Sequence, residues 1–272
     1  MQMLALPYLS ILRFSDADAG NFLQNQLSAN ILALENGEST FACYCEPKGR
    51  VLALMLVCRV EESYYAILSS SLMQSVVDRL RIYVMRSKVK IEVLNEYTLA
   101  GLHQDDVPEL KPLSIPAIPL PNSSLCYGLE DREMVKGTDA SLHDTWKISE
   151  LQRGITWLCP ETSGEFLPQM LGFDKLGAVN FRKGCYPGQE IVARTHYLGK
   201  VKRHPRLLNT GTAPCPDPLE KIQILSDEKA YEAIIADCAQ GPDGTCMFVV
   251  TRMDPNLSAE KIEYRGKIEA LS

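Results

Sequence analysis

The chain has 272 residues, of which 46% are hydrophobic and 23% are charged, and its net charge is −6. This length exceeds that of one average domain, so we expect two or three packed units with an ordinary hydrophobic core. The acidic balance argues against broad, non-specific binding of nucleic acids, which depends on an excess of Lys and Arg.

The N-terminal region and the cysteines together favour a cytoplasmic setting. Residues 1–12 are apolar, but no Lys or Arg precedes them and Arg13 follows them, unlike a secretion signal. The longest apolar run, residues 51–58, is too short to cross a membrane. Nine cysteines are scattered without a framework, so we expect a reduced compartment with most of them as packing residues. Cys43 and Cys45 lack a second pair nearby, so they are expected on one face of a strand rather than in a metal site.

The first predicted helix follows Ser15. Ser15 as the N-cap and Asp18 as an acidic residue of the first turn predict its start. Its apolar face, at helical spacing, consists of Ala19, Phe22, Leu23 and Leu27. Its amide-rich face consists of Gln24, Asn25, Gln26 and Asn30. These amides are either solvated or hydrogen-bonded to a heterocyclic ligand.

The segment after this helix predicts a sheet and a second helix. Strands are predicted at 51–58 and 64–69, and a helix at 71–83, where one apolar stripe indicates core packing. Residues 88–94 alternate between charged and apolar side chains, as a half-buried strand does, and 97–102 is expected to pair beside it. The mixture of strands and helices predicts an α+β fold.

A proline-rich connection lies in the middle of the chain. Five prolines between residues 108 and 121 indicate a loop or linker. A strand-like segment follows at 125–129, and a helix is predicted at 139–153, ending at Gly154. Residues 155–190 are rich in loops, which carry functional sites more often than packed elements do.

The chain becomes locally basic before its last segment. Residues 191–216 contain no acidic residue and five basic ones: Arg194, Lys200, Lys202, Arg203 and Arg206. This stretch is either a solvated connection or an anion-binding patch. Beyond it, short strands and a strong turn at 241–244 predict a small antiparallel barrel. The predicted strands are residues 222–225, 230–236, 245–251 and 261–264.

Residues 183–190, Lys-Gly-Cys-Tyr-Pro-Gly-Gln-Glu, are the most informative segment. The thiol of Cys185 lies two residues from the cation of Lys183, and a neighbouring cation favours the reactive thiolate. Gly184 and Gly188 let the backbone turn sharply or approach a ligand closely. The segment therefore predicts a functional loop.

The alternative interpretation of this segment is a structured turn with an inert cysteine. A metal site does not fit, because no second Cys or His lies two to four residues from Cys185. A phosphate-binding loop does not fit either, because no glycine-rich run ends in Gly-Lys-Ser or Gly-Lys-Thr. Glu190 and Arg194 are four residues apart, so in a helix they would pair and hold the loop without doing chemistry.

Residues 183–190 with Arg194 resemble the K-G-C-Y-x-G-Q-E-x-x-x-R motif of the YgfZ family. That family consists of folate-binding proteins related to the T-protein, the aminomethyltransferase of the glycine cleavage system. The resemblance runs from Asp16 to Arg206 and is weaker beyond. Further similar segments are residues 22–30, 47–51, 166–169 and 199–203.

The resemblance implies a T-protein-like fold. Residues 1–200 would form a folate-binding module of two intertwined α+β subdomains, connected by the proline-rich segment near 108–121. Residues 201–272 would form a small C-terminal antiparallel β-barrel. The implied cofactor is tetrahydrofolate or a one-carbon derivative. The implied partners are iron–sulfur client enzymes or their assembly factors, with weak tRNA contact and no membrane.

The resemblance also implies roles for single residues. Cys185 would be a reactive or regulatory thiol with Lys183 beside it, both assigned to the catalytic group. The implied folate-binding residues are Gln26, Gln169, Tyr186, Gln189, Glu190 and Arg194. The implied anion patch, for a folate glutamate tail or an RNA phosphate, consists of Lys200, Lys202 and Arg203.

The chain departs from the T-protein pattern at two places. Residues 49–54 match the T-protein segment G-G-I-L-D-D, but Ala53 and Leu54 replace the two aspartates. Neither side chain can accept a proton or stabilise a cation, which argues against aminomethyl transfer. Gln169 replaces the pterin-binding carboxylate of P-x-E. It still donates and accepts hydrogen bonds, but it carries no charge.

Three functions remain open from the sequence. The leading one is a tetrahydrofolate-binding accessory protein that supports assembly or repair of iron–sulfur enzymes, including tRNA-modifying ones. The second is a folate-dependent one-carbon transferase with Cys185 as nucleophile and Glu190 as general base. The third is a docking scaffold for RNA or protein that uses the basic stretch alone and binds RNA in a salt-sensitive manner.

Overall fold

The computed structural model describes residues 4–103, 117–132, 140–199, 201–211, 213–226 and 229–271. The α-helices in these residues are α1 (Ala19–Gln26), α2 (Met73–Ile82), α3 (Ala140–Gln152) and α4 (Gln189–Tyr197). The first nine strands are β1 (Leu4–Ala5), β2 (Leu9–Ser15), β3 (Ser39–Cys45), β4 (Val51–Val60), β5 (Ser63–Ser69), β6 (Lys90–Val93), β7 (Tyr97–His103), β8 (Ile118–Pro119) and β9 (Leu125–Asp131). The last six are β10 (His204–Thr210), β11 (Lys221–Ser226), β12 (Lys229–Gly241), β13 (Gly244–Thr251), β14 (Lys261–Tyr264) and β15 (Lys267–Ala270). In these ranges, no helix has both the length and the apolar character to cross a membrane.

The first sheet has the strand order β3-β4-β5-β2-β6, and its neighbouring strands are antiparallel. The first eight residues of β4 are all buried, so this strand needs both of its faces covered. β4 and β5 confirm the strands predicted at 51–58 and 64–69. α2, preceded by a 3₁₀ turn at Ser70–Leu72, confirms the predicted helix at 71–83. The buried stripe of α2 consists of Met73, Val76, Val77 and Leu80.

The second sheet has the strand order β1-β7-β9-β8, and it corrects one predicted pairing. Residues 97–102 were expected beside 88–94, but β6 pairs with β2 and β7 pairs with β1 and β9. The reason is burial. β6 is exposed or half-buried throughout and suits the edge of a sheet. β7 buries Leu99 and Ala100 almost completely, so it takes an inner position between two strands.

The start of α1 also differs from the prediction. Its N-cap is Asp18 rather than Ser15, and no side chain caps the helix. The Asp18 carboxylate instead accepts a hydrogen bond of 2.6 Å from the backbone N–H of Lys88, 70 residues away in the sequence. A local capping pattern cannot reveal such a distant partner.

The middle of the chain follows the prediction where the structure describes it. α3 confirms the helix predicted at 139–153, and Gly154 behind it has a left-handed φ of 76°. β9 confirms the strand-like segment at 125–129. Residues 104–116, most of the proline-rich connection, lie outside the described residues, and Pro119 belongs to β8.

The C-terminal sheet has the strand order β10-β13-β12-β11-β14-β15 and is antiparallel throughout. β11 to β14 confirm the four predicted strands, and the turn predicted at 241–244 joins β12 to β13. The two edges of the sheet meet at one bridge, Thr210 with Leu271. The described residues therefore form a curled sheet without the full strand pair that would close the expected barrel.

A buried carboxylate lies where α3 meets the second sheet. Glu150 is 2% exposed. It accepts hydrogen bonds from the hydroxyl of Tyr8 at 2.8 Å, from the hydroxyl of Tyr127, and from the indole N–H of Trp146 at 3.1 Å. Burial raises the pKa of Glu150 to about 7, and the hydrogen bonds counteract only part of this effect.

The same helix also contacts the C-terminal sheet. Lys147 of α3 forms an ion pair of 2.6 Å with Asp237 of β12, and the carboxylate of Asp237 is 9% exposed. Burial raises the pKa of Asp237, while Lys147 acts in the opposite direction. α3 therefore joins the second sheet to the C-terminal sheet through buried polar contacts.

The cysteines are mostly packing residues, as expected, but two of them form a disulfide. Cys215 and Cys238 are bonded, with their Cα atoms 5.7 Å apart, which the sequence analysis did not anticipate. Cys43 and Cys45 are buried in β3, in agreement with the predicted packing role. The hydrogen bond with Cys43 and burial raise the pKa of Cys45 well above its usual value, so this thiol stays neutral.

Removing the disulfide is expected to destabilise the C-terminal sheet. The bond joins residues 23 positions apart, and closing such a loop restricts the unfolded chain. We expect the double variant Cys215→Ser/Cys238→Ser to lose about 2–4 kcal/mol of unfolding free energy in denaturant titrations under oxidising conditions. Added reductant should destabilise the wild type and leave the double variant unchanged. Equal stability of the two oxidised proteins would contradict this expectation.

Candidate functional site

Two glycine-containing turns pack against each other at the centre of the site. Gly188, directly before α4, has a φ of 82°, and a Cβ there would lie 2.4 Å from Glu46 O and 2.6 Å from Gly49 Cα. Gly49, in the turn between β3 and β4, has a φ of 78°, and a Cβ there would lie 3.0 Å from Ile191 Cβ. The fold thus brings two distant sequence motifs into direct backbone contact.

The same turn is bonded to the segment that leads to Gln169. Arg50 Nη1 donates a hydrogen bond of 2.5 Å to Glu165 O. The N–H of Val51 donates to Phe166 O at 2.9 Å, and the N–H of Gly164 donates to Val51 O at 2.8 Å. The turn between β3 and β4 is therefore hydrogen-bonded to the segment before Gln169 and packed against the turn before α4.

Lys183 is anchored to the end of α1. Its ammonium group donates hydrogen bonds to Gln24 O and, at 2.5 Å, to Leu27 O, where the helix dipole favours a cation. It also lies 5.1 Å from the ring centroid of Tyr186. Burial lowers the pKa of Lys183 to about 8, and the nearby Cys185 counteracts part of this effect. Lys183 is thus close to the thiol, but its hydrogen bonds hold the loop on α1.

Tyr186 and Gln189 fix the loop from inside. Tyr186 is 7% exposed, and burial raises its pKa, with Cys45 and Cys43 acting in the same direction. Gln189 Nε2 donates a hydrogen bond of 3.2 Å to Lys183 O and so closes the loop on itself. Both residues were predicted to bind folate, and in the structure both support the shape of the loop.

Cys185 lies at the exposed tip of this loop. Gly184 beside it has open space where a Cβ would be and is absent from the residues with positive φ. Of the two motif glycines, Gly188 is therefore required by its positive φ and by its close contact with the neighbouring turn. Neither constraint applies to Gly184. The buried thiols in the described residues are Cys43, Cys45, Cys58, Cys126 and Cys246, and Cys159 is half-buried.

Exposure makes Cys185 the expected first target of a thiol reagent. We expect brief treatment of the native, non-reduced protein with iodoacetamide to alkylate Cys185 ahead of the buried cysteines, because local access controls the reaction. Peptide mass spectrometry would locate the modified residue. Cys185→Ser should abolish most of the early modification, with Cys126→Ser as a buried control that leaves it unchanged. Early alkylation of buried cysteines instead would contradict this placement.

Glu190 and Arg194 lie on α4 as the helical interpretation requires. Glu190 is in the first turn and Arg194 in the last turn, so each has the charge that the helix dipole favours. Both are exposed. In the part of the chain that the structure describes, no ion pair joins them, so the two charges remain available to a ligand or partner.

Gln169 and Gln26 provide two buried hydrogen-bond acceptors. Gln169 is 4% exposed, and its Nε2 donates a hydrogen bond of 2.8 Å to Val192 O, which ties it to α4. Gln26 is 8% exposed. The Oε1 atoms of both side chains are buried and unpartnered, and such atoms are costly unless a bound group satisfies them. A pterin ring carries N–H donors of the required kind, so these residues fit a folate. On the amide face of α1, Gln24 and Asn30 bond to each other instead.

The two positions that depart from the T-protein pattern lie inside the first sheet. Ala53 and Leu54 of β4 are each 1% exposed. They contribute to the hydrophobic core and offer no acid or base.

The basic stretch is described only in part. Lys200 lies outside the described residues, Lys202 is exposed and Arg203 is half-buried. The guanidinium group of Arg206 donates to the carbonyl oxygens of Asp254, Pro255 and Leu257 and so holds a loop of the C-terminal sheet. Arg206 therefore has a structural role, whereas Lys202 is exposed at the surface.

Sequence reasoning missed a cluster of three aromatic rings beside this site. Phe181 stacks on His196, and Tyr197 contacts both of them. Phe181 lies two residues before Lys183, and the other two rings are at the end of α4. The sequence contained a signal, since aromatic residues flank the motif on both sides.

Comparison with known proteins gives one consistent result. No family model matches the chain. An uncharacterized protein of Haemophilus influenzae is 30% identical over 204 residues, which cover 74% of this chain and 71% of that protein. The tRNA-modifying protein YgfZ of Colwellia psychrerythraea is 23% identical over 271 residues, covering 90% and 83%. The protein of the same name from an Enterobacter species is 24% identical over 291 residues, covering 96% and 88%.

A solved structure gives the fold. The glycine cleavage system aminomethyltransferase T from Bartonella henselae matches with a TM-score of 0.73 and 12% identity, covering 99% of this chain and 83% of that one. At this identity, the likeness concerns the fold alone. Because the Colwellia and Enterobacter relatives span most of the chain and carry the name that the Lys183–Arg194 motif indicated, the chain belongs to the YgfZ family, and it has the fold of the glycine cleavage T-protein.

Proposed function

We propose that this protein binds tetrahydrofolate, or a one-carbon derivative of it, and supports the assembly or repair of iron–sulfur enzymes, including enzymes that modify tRNA. The observation that carries the folate part is the pair of buried, unpartnered Oε1 atoms of Gln26 and Gln169. The name of the YgfZ relatives supports the tRNA context. We assign folate binding to residues 1–200 and regard 201–272, with the curled antiparallel sheet, as a separate domain.

Calorimetric titration with tetrahydrofolate under reducing conditions tests the folate part. The wild type should bind, and Gln169→Ala should weaken binding about 10- to 100-fold, as expected for one lost hydrogen bond in a buried site. Gln74→Ala is the matched control, because Gln74 is an exposed glutamine of α2 that bonds only to Asp78 on its own helix. No binding by the wild type, or equal binding by Gln169→Ala, would overturn the assignment of Gln169 to folate binding.

A second candidate function is one-carbon transfer with Cys185 as nucleophile and Glu190 as general base. The exposed thiol of Cys185 favours it. The two functions differ in turnover. Under the accessory function, Cys185→Ala binds folate normally and no methylene transfer is measured with candidate acceptors. Transfer that occurs in the wild type and disappears in Cys185→Ala would favour the enzyme.

A further inference from the structure

The aromatic cluster beside the motif loop has an ordered geometry. The ring centroids of Phe181 and His196 are 3.8 Å apart with an interplanar angle of 15°. Tyr197 meets both rings edge-on, at 6.1 Å from Phe181 and 4.8 Å from His196. Because Phe181 belongs to the start of the motif loop, the contact pins that loop to the end of α4. The rings are therefore held in place before any partner arrives.

The cluster is open to solvent. Tyr197 is 64% exposed, and the following Leu198 is 84% exposed. Ile191, on the same helix, is 37% exposed. A group of large apolar side chains that are exposed together indicates a contact surface, because burying them against a partner removes apolar area from water. Within the described residues, no other element covers this end of α4.

The chain segment that carries the cluster is mostly basic in sequence. Residues 175–216 contain eight Lys or Arg and one acidic residue, Glu190, whereas the whole chain has a net charge of −6. Arg182 is exposed next to Phe181 in the sequence, and Arg194 is exposed three residues before Tyr197, a spacing that puts both on one side of a helix. Exposed rings and exposed cations are thus interleaved.

We propose that this surface, formed by Phe181, His196, Tyr197, Arg182 and Arg194, binds unpaired nucleotides of an RNA. Exposed aromatic faces stack on bases, and basic side chains contact the phosphates between them. A double-stranded RNA hides its bases and would use only the cations. An acidic peptide would likewise have no need for the ordered rings. The proposal deepens the proposed tRNA-related function by locating the RNA contact, and it does not depend on folate binding.

Fluorescence anisotropy with a short, labelled, single-stranded RNA of mixed sequence at low salt tests the proposal. Tyr197→Ala should weaken binding about 10-fold or more, the effect of one lost stacking partner, while Tyr197→Phe, which keeps the ring, should bind like the wild type. Arg182→Glu should weaken binding and make it less sensitive to salt. The matched controls lie on β15 of the C-terminal sheet. They are Ile268→Ala, with 61% of its side chain exposed, and Lys267→Glu, and both should bind like the wild type.

Several results would overturn this proposal. Tyr197→Ala that binds as tightly as the wild type would remove the rings from the interface. An RNA duplex that binds as tightly as the single strand would do the same, as would equal competition by an acidic peptide. A separate titration of the wild type with tetrahydrofolate distinguishes the folate proposal from the RNA proposal. Folate binding without RNA binding would contradict only the RNA proposal.

Discussion

Gly188→Ala is expected to lower the free energy of unfolding by about 3–5 kcal/mol, a large effect for a change of one methyl group. The φ of 82° costs an alanine about 1–2 kcal/mol. The larger part comes from the new Cβ, which would lie 2.4 Å from Glu46 O and 2.6 Å from Gly49 Cα. These are backbone atoms and cannot rotate away, so the two turns must separate.

Substitutions at two other glycines distinguish the cost of a positive φ from the cost of the steric clash. Gly177 has a φ of 81° but open space around its Cβ position, so Gly177→Ala should show the conformational cost alone, about 1–2 kcal/mol. Gly184 has neither constraint, and Gly184→Ala should change stability by less than about 0.5 kcal/mol. Urea titrations of the three variants give the comparison. Equal losses in Gly188→Ala and Gly177→Ala would show that the contact with Gly49 is not tight.

The second large effect concerns pH. The pKa of Glu150 is raised from 4.5 to about 7 in the folded protein, so the folded state binds a proton that the unfolded state has released between these values. The unfolding free energy should therefore fall as pH rises through this window, by about 3 kcal/mol from this group. Below about pH 4.5 both states are protonated, and above about pH 7 both are ionised, so the contribution is flat outside the window.

Glu150→Gln isolates this contribution. Glutamine can accept from one of the hydroxyls of Tyr8 and Tyr127 and donate to the other, and it does not titrate, so the decline between about pH 4.5 and 7 should largely disappear. Asp237, whose pKa is also raised, and Lys147 remain in both proteins and cancel in the comparison. Denaturant titrations across this range measure the difference. Parallel pH profiles for the two proteins would show that the pKa of Glu150 is not raised in the folded state.

The sequence predicted features that depend on neighbours along the chain. An apolar stripe identified α2, and Gly154 directly after a helical pattern identified the end of α3. Prediction from the sequence failed where a residue contacts another that is distant along the chain. The bond from Lys88 to Asp18, the disulfide of Cys215 and the donors around Glu150 all join residues that only the folded chain brings together.

The candidate site follows the same division. The motif identified Cys185 and Lys183, because a rare combination of residue types is visible in a single segment. The motif could not show that Lys183 donates its hydrogen bonds to the end of α1. Nor could it show that Gly188 allows close packing against Gly49 rather than against a ligand. The rings of His196 and Tyr197 escaped notice for a related reason, since stacking on Phe181 depends on how α4 folds back over the loop.

The anchoring of Lys183 bears on when the site forms during synthesis. Its ammonium group bonds to carbonyl oxygens 159 and 156 residues earlier in the chain. Contacts of such high sequence separation form late, because a long stretch of chain must be closed before they contribute. On the ribosome, the end of α1 would emerge long before its partner, and domains fold as units as the chain emerges. A nascent chain that stalls before residue 183 would therefore carry an N-terminal sheet whose ligand site is still unassembled.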